Sequence, residues 1–163
     1  AIRTSISVDK FNDGRISQGE IESVLPFKHI TEIVEITGSV LKEVLEHSVR
    51  LYTDGEKRSE FLQMSGLQVT YDMSKASGQR VTEVQVKTVD GLENLQDEMK
   101  YRIVVPDYMA SGGDGFEMLK NFSVAKTDVL DVELVISYLK VFSPISPKVE
   151  GRITILNYNG IAK

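Results

Sequence analysis

One aspartate set among three glycines, with an aromatic on either side, is the part of this chain best suited to chemistry. It lies in Pro106-Asp107-Tyr108-Met109-Ala110-Ser111-Gly112-Gly113-Asp114-Gly115-Phe116, with Tyr108 six residues before Asp114 and Phe116 two after it. Glycines let the backbone turn sharply or come close to a bound molecule. Aromatic faces beside one acceptor-only carboxylate suit a flat heterocycle joined to a polyol, as in a nucleoside. The residues leave a second reading open, a tight turn whose aspartate caps the following helix.

Elsewhere, the histidine and cysteine side chains that most often catalyse or hold a metal are sparse. The chain has two histidines, His29 and His47, and no cysteine. His47 sits beside Glu46 on a predicted helix with no ligand at metal spacing, which makes it a structural or surface residue. Asn12 to Glu20 carries acidic and amide residues, but its spacing is not that of a calcium loop. No metal site is legible.

The elements that must position the motif follow from periodicity. Tyr101-Arg102-Ile103-Val104-Val105 reads as a strand buried on both faces and ended by Pro106. Before it, Asn12-Asp13-Gly14 reads as a turn between short strands at Ser5–Val8 and Arg15–Ser17. Ser17-Gln18-Gly19-Glu20 is a capping box for a helix from Gln18 to Val24, stopped before Pro26. Glu32–Ile36 is a strand, and Thr37 caps a helix whose apolar face is Val40, Leu41, Val44, Leu45 and Val49. Phe61–Met64, Leu67–Asp72 and Arg80–Val89 are further strands, and Asp90–Met99 is a surface loop. After the motif, Phe116–Lys120 opens a short helix. A longer one begins at Thr127 or Asp128 with Val132, Val135, Ile136, Leu139 and Phe142 buried. Two prolines between Ser143 and Pro147 end it, and Val149–Leu156 is the last strand. The expected fold class is α+β, a mixed β-sheet with packed helices, forming a single domain over residues 1–163.

Tyr101 to Leu119 closely resembles the C-terminal domain of the 5'-nucleotidase family, which includes ecto-5'-nucleotidases, bacterial UDP-sugar hydrolases and arthropod salivary apyrases. Nearly the whole chain shares the resemblance. Ala1-Ile2-Arg3 is similar to the end of the family's Asn-x-Gly-Gly-Ile-Arg motif, and Leu25-Pro26-Phe27 to its next signature. Ile36 to Lys42, Leu45 to Val49, Phe61 to Leu67, Gly78 to Val81 and Val149 to Ile153 follow in the family's order. The resemblance implies base-stacking aromatics at Phe27 and Tyr108, where the second is usually phenylalanine. It implies a ribose-binding carboxylate at Asp114, a loop kept slim by Gly112, Gly113 and Gly115, and a phosphate-gripping arginine at Arg3. His29, which follows Phe27 near the expected pocket, is a candidate for a rim role, while Arg80 and Arg152 are expected to be structural or exposed charges. The resemblance also implies that catalysis belongs elsewhere: a separate N-terminal metallophosphoesterase domain, absent from this chain, holds two divalent metal ions of zinc type. This chain, binding no cofactor of its own and inactive alone, is the nucleotide-recognition half. The alternative is a non-catalytic module that sequesters nucleotides.

Composition narrows the setting. With 163 residues, 41% hydrophobic and 26% charged, the chain has the make-up of an ordinary globular domain. A net charge of −5 and pI ≈ 5.1 speak against a nucleic-acid partner. No stretch approaches the length of a transmembrane span. The family is largely extracytoplasmic, so a secreted or cell-surface location is expected, and Asn121-Phe122-Ser123 is a formal glycosylation sequon. The expected partners are a nucleotide or nucleoside and the N-terminal catalytic domain of the same precursor. Oligomeric state is open, a dimer included.

Overall fold

The structure, a computed structural model, describes residues 14–52 and 60–158, together with the backbone of a strand at Ile2–Thr4. That strand, β1, pairs antiparallel with β3 (Leu62–Met64). Helix α1 (Gln18–Val24) starts on the expected capping box: the Glu20 carboxylate accepts from the Ser17 N–H at 2.7 Å and the Ser17 hydroxyl accepts from the Glu20 N–H at 3.3 Å. Strand β2 (Ile30–Thr37) runs into α2 (Gly38–Val49), whose first turn is capped by the Thr37 hydroxyl accepting from the Val40 N–H.

Strands β4 (Leu67–Asp72), β5 (Val81–Lys87) and β6 (Leu92–Asn94) form an antiparallel run, and β9 (Ile153–Leu156) adds to β4 in parallel, which makes this sheet mixed. The other large sheet has order β7-β2-β8, all antiparallel, with β7 at Lys100–Pro106 and β8 at Ser123–Leu130. Between β7 and β8 lie α3 (Asp107–Ala110) and two 3₁₀ turns at Gly113–Gly115 and Glu117–Leu119. Helix α4 (Asp131–Phe142) follows β8.

The apolar stripe of α2 makes the core. Leu41, Val44, Leu45 and Val49 are buried with Val34 and Ile36 of β2, Leu67, Val69 and Tyr71 of β4, and Met109, Phe116 and Leu119 of the motif region. Alternation in β4 is as its sequence predicts, with Leu67, Val69 and Tyr71 inward. Burial holds the Tyr71 hydroxyl well above the usual phenol range, partly offset by a hydrogen bond with Ser48 at 3.3 Å. Helix α1 packs on α4 through Ile21, Leu25 and Val132, a smaller cluster.

Several local expectations give way to tertiary context. Arg15–Ser17 is irregular and leads into the cap rather than forming a strand, and Ser5–Val8 lies outside the described residues. The 90–99 loop contains the short strand β6. Strand β7 is an edge strand with Arg102 and Val104 exposed, so it is not buried on both faces, and an edge position accommodates Pro106 opposite Thr31. Residues 123–130 pair with β2 instead of opening a helix. Their anchor is Thr127, whose hydroxyl donates to the Thr31 carbonyl at 3.0 Å and lies 2.6 Å from the Thr31 hydroxyl. The helix therefore starts at Asp131. Val132 is buried as expected, but Val135 and Phe142 are exposed. The last strand starts at Ile153, with Val149 fully exposed ahead of it.

Candidate functional site

The register of β2 on β7 builds the site. Thr31 pairs with Pro106 at the last rung, so the residues just before β2 and those just after β7 emerge at the same end of the sheet. Phe27, His29, Asp107 and Tyr108 meet there. Phe27 stands out into solvent with 71% of its surface exposed, and Tyr108 on α3 is 45% exposed. His29 links them: its ring centroid is 5.8 Å from that of Phe27 and 5.7 Å from that of Tyr108, stacked on the latter at 24°. The His29 Nδ1 lies 3.1 Å from the Asp107 carboxylate, which also accepts from the Tyr108 N–H at 2.8 Å. The backbone of His29 is anchored as well, its carbonyl accepting from Asp131 N–H at 2.8 Å.

The glycine loop holds the carboxylate against this cluster. Asp114 adopts a left-handed conformation, φ 52°, and its Oδ1 accepts from the Tyr108 hydroxyl at 3.3 Å. Tyrosine in place of phenylalanine thus ties the ring to the carboxylate. Gly113 makes room for that ring: a Cβ there would stand 2.4–2.5 Å from three of its carbons. Behind the loop, His47 of α2 donates from Nε2–H to the Asp114 carbonyl at 2.8 Å and packs on the buried Phe116, centroids 4.5 Å apart. Gly115, at φ 80°, passes so close that a Cβ would meet the His47 ring at 2.9 Å. The Lys120 stem lies over Gly112, and its ammonium pairs with Glu117.

Charge around the site is mixed. On the neighbouring strand the Lys126 ammonium sits 2.8 Å from Glu32, a buried carboxylate of β2. That hydrogen-bonded pairing raises the Lys126 pKa, with smaller contributions from Asp107 and Asp128. Among the described residues no three His, Cys, Asp or Glu side chains come together as a metal cage. The donors present are those of a stacking and hydrogen-bonding site: rings, a carboxylate and backbone.

Of the residues singled out in the sequence, Phe27, Tyr108, Gly112, Gly113 and Asp114 lie in this one cluster. Arg3 lies in β1 opposite Gln63 of β3, and its side chain is outside the described residues. Arg80 is structural: its guanidinium donates to the Val49 and Tyr52 carbonyls at the end of α2. Arg152 likewise donates to the Met64 carbonyl at 3.0 Å. Three contributors were not legible as a unit. His29 is a full member of the ring cluster rather than a rim residue, Asp107 orients it, and His47 braces the loop. Pairing the Leu25–Phe27 signature with the strand ending at Pro106 is the signal that would have placed His29 against Asp107.

Helices packed on one mixed and one antiparallel sheet, with an exposed ring-and-carboxylate cluster where two antiparallel strands end, define an α+β domain whose site is built from rings, a carboxylate and backbone. The family model for the 5'-nucleotidase C-terminal domain matches residues 1–121, and the chain belongs to that family. A 5'-nucleotidase-related protein of Glossina morsitans morsitans is 38% identical over 162 residues, 96% of this chain and 28% of that protein. A snake venom 5'-nucleotidase of Macrovipera lebetinus is 38% identical over 161 residues, 96% of this chain and 39% of that protein. The crystal structure of a 5'-nucleotidase precursor from Thermus thermophilus superposes with a TM-score of 0.83 at 36% identity, over 87% of this chain and 28% of that one. The chain thus spans well under half the length of these relatives.

Proposed function

We propose that this chain is the nucleotide-recognition part of a longer phosphohydrolase acting on extracellular nucleotides. The observation that carries the reading is the convergence of two exposed rings, Phe27 and Tyr108, with the Asp114 carboxylate at one sheet end. A base stacked on such rings gains about 1–3 kcal/mol, and an acceptor-only carboxylate suits the two hydroxyls of a ribose. Arg3, on β1, is the residue for the phosphate, a task suited to a guanidinium fork.

Hydrolysis then needs a nucleophile and charge stabilisation, and among the described residues no three His, Cys, Asp or Glu side chains gather as a metal cage. Two divalent metals, held by a metallophosphoesterase domain elsewhere in the full protein, would activate water for attack on the phosphate. This chain's part is to bind and orient. A base stacked on Tyr108 and a ribose held by Asp114 fix the direction in which the phosphate projects, and orientation of that kind is a large share of phosphoryl-transfer catalysis. The name of one relative, a snake venom 5'-nucleotidase, supports a secreted setting, and a cell-surface one is the alternative. No helix among the described residues is long and apolar enough to cross a membrane.

Titration of the chain with adenosine, followed by calorimetry, tests the reading. Binding that weakens at least tenfold in Asp114→Ala, with the thermal midpoint retained, is the expected result, tenfold being about 1.4 kcal/mol. Absence of adenosine and AMP binding by the folded chain overturns it, as does equal binding by the variant.

A further inference from the structure

Stacking on Phe27 and Tyr108 accepts any base, because every base has a π-face. His29 adds what those rings lack, a polar group at the level of the base. Its imidazole stacks on Tyr108 in an offset arrangement, centroids 5.7 Å apart at 24°, and Tyr108 keeps 45% of its surface exposed. With the imidazole offset on the ring and part of Tyr108 exposed, a base stacked on Tyr108 beside the imidazole would meet its edge rather than its face. That edge is chemically defined. The Asp107 carboxylate, 3.1 Å from Nδ1, can only accept, so in the neutral ring the proton sits on Nδ1. Nε2 is then left with a lone pair and has no hydrogen-bond partner among the described residues. One further anchor holds the residue in place, its own carbonyl bonded to Asp131, and the Asp107 carboxylate is itself fixed by the Tyr108 N–H.

We propose that His29 is a specificity-determining residue that reads the base edge, its Nε2 accepting from an exocyclic amino group. Nucleosides whose base edge offers an amino donor, as adenine and cytosine do, are favoured over those offering a carbonyl at the same place, as hypoxanthine and uracil do. A carbonyl there would face the Nε2 lone pair, acceptor against acceptor. This rests on the nucleotide-recognition reading, and it supplies that reading with a base preference.

The test compares adenosine with inosine, which differ at that position, by calorimetry on the chain. Adenosine should bind about fivefold more tightly, the worth of one neutral hydrogen bond. His29→Phe keeps a stacked ring and removes the acceptor, so the ratio of the two dissociation constants should fall to about one. Asp107→Asn no longer dictates the tautomer and should also lower the ratio. A merely structural His29 would change both affinities together and leave the ratio alone. A ratio that survives both substitutions overturns the proposal, and so does tighter adenosine binding by His29→Phe, which would mean that the imidazole occupies the place of the base. If Asp114→Ala weakens binding but the unaltered chain does not distinguish adenosine from inosine, only the role of His29 falls. If the chain binds neither nucleoside, the nucleotide reading falls with it.

Discussion

Gly113→Ala separates the site from the fold by one methyl group. The added Cβ would stand 2.4 Å from Tyr108 Cε1 and 2.5 Å from Cδ1 and Cζ, whereas carbon atoms in contact sit about 3.5–4.0 Å apart. Gly113 is outside the left-handed region, so its backbone accepts alanine, and the ring must yield by about 1 Å, the difference between those distances. Tyr108 is half exposed, so a ring that yields towards solvent loses its Asp114 bond and its His29 stack rather than core packing, which limits the cost in stability. Loss of unfolded-state freedom at a glycine contributes about 0.4–1 kcal/mol in the opposite direction, so the unfolding midpoint in urea should change little. Binding is another matter. Swinging the ring breaks the 3.3 Å bond from its hydroxyl to Asp114 and removes one wall of the stack. The loss should approach the worth of one stacked ring, about 1–3 kcal/mol, or about 5- to 150-fold in adenosine affinity. Calorimetry and urea unfolding on the same preparations measure both. Unchanged affinity would show that the Tyr108 ring is not the stacking surface, and a collapse in stability would show that the ring is pinned by the core.

Other substitutions test the supports. His47→Leu keeps apolar packing against Phe116 but removes the donor to the Asp114 carbonyl; about 1 kcal/mol of stability and a several-fold loss of adenosine affinity are expected, and loss of stability alone would deny His47 a part in positioning Asp114. Lys126→Met leaves the buried Glu32 carboxylate without its cation, and the urea midpoint should fall, modestly because Lys126 is exposed; an unchanged midpoint would refute the pairing. Hydrogen bonds from the Asn157 and Ser74 side chains, with one from the Ser74 N–H, hold the Asp72 carboxyl below its usual range. A carboxyl lowered on folding stabilises above its unfolded pKa and loses that contribution as pH falls through the folded value. The stability difference between the unaltered chain and Asn157→Ala should therefore be present at neutral pH and shrink below about pH 4, while a pH-independent difference would contradict the linkage.

What the sequence revealed and what it hid divide along the distance over which the contacts run. Tyr108, Gly113 and Asp114 lie within seven positions, and their relation is visible as a local pattern of ring, glycine and carboxylate. Helix α1 and the start of α2 were equally legible, since the Ser17–Glu20 and Thr37–Val40 contacts are local. The contact between His29 and Asp107 spans 78 positions and that between His47 and Asp114 spans 67. Nothing local distinguishes these histidines from surface residues. The same blindness explains residues 123–130, whose strand conformation depends on Thr127 finding Thr31 across 96 positions.

The division also separates two kinds of rigidity in the site. The Tyr108–Asp114 side is braced from behind by His47 on α2 and by the fully buried Phe116, so it inherits the stability of the main core. The Phe27 side has no such backing. Phe27 is largely exposed, and its ring contact is with His29, itself held at the surface by its stack on Tyr108, its contact with Asp107 and a backbone bond to Asp131. A bound heterocycle would thus rest on a braced platform and be closed by an unbraced ring, and the energetic consequences differ. Substitutions behind the platform should change affinity and stability together, because they act through the core. Substitutions at Phe27 should change affinity alone, because no buried surface depends on that ring. Phe27→Ala is therefore expected to weaken adenosine binding by about 1–3 kcal/mol with the urea midpoint unchanged, and a matching fall in stability would mean that the ring is part of the packed fold.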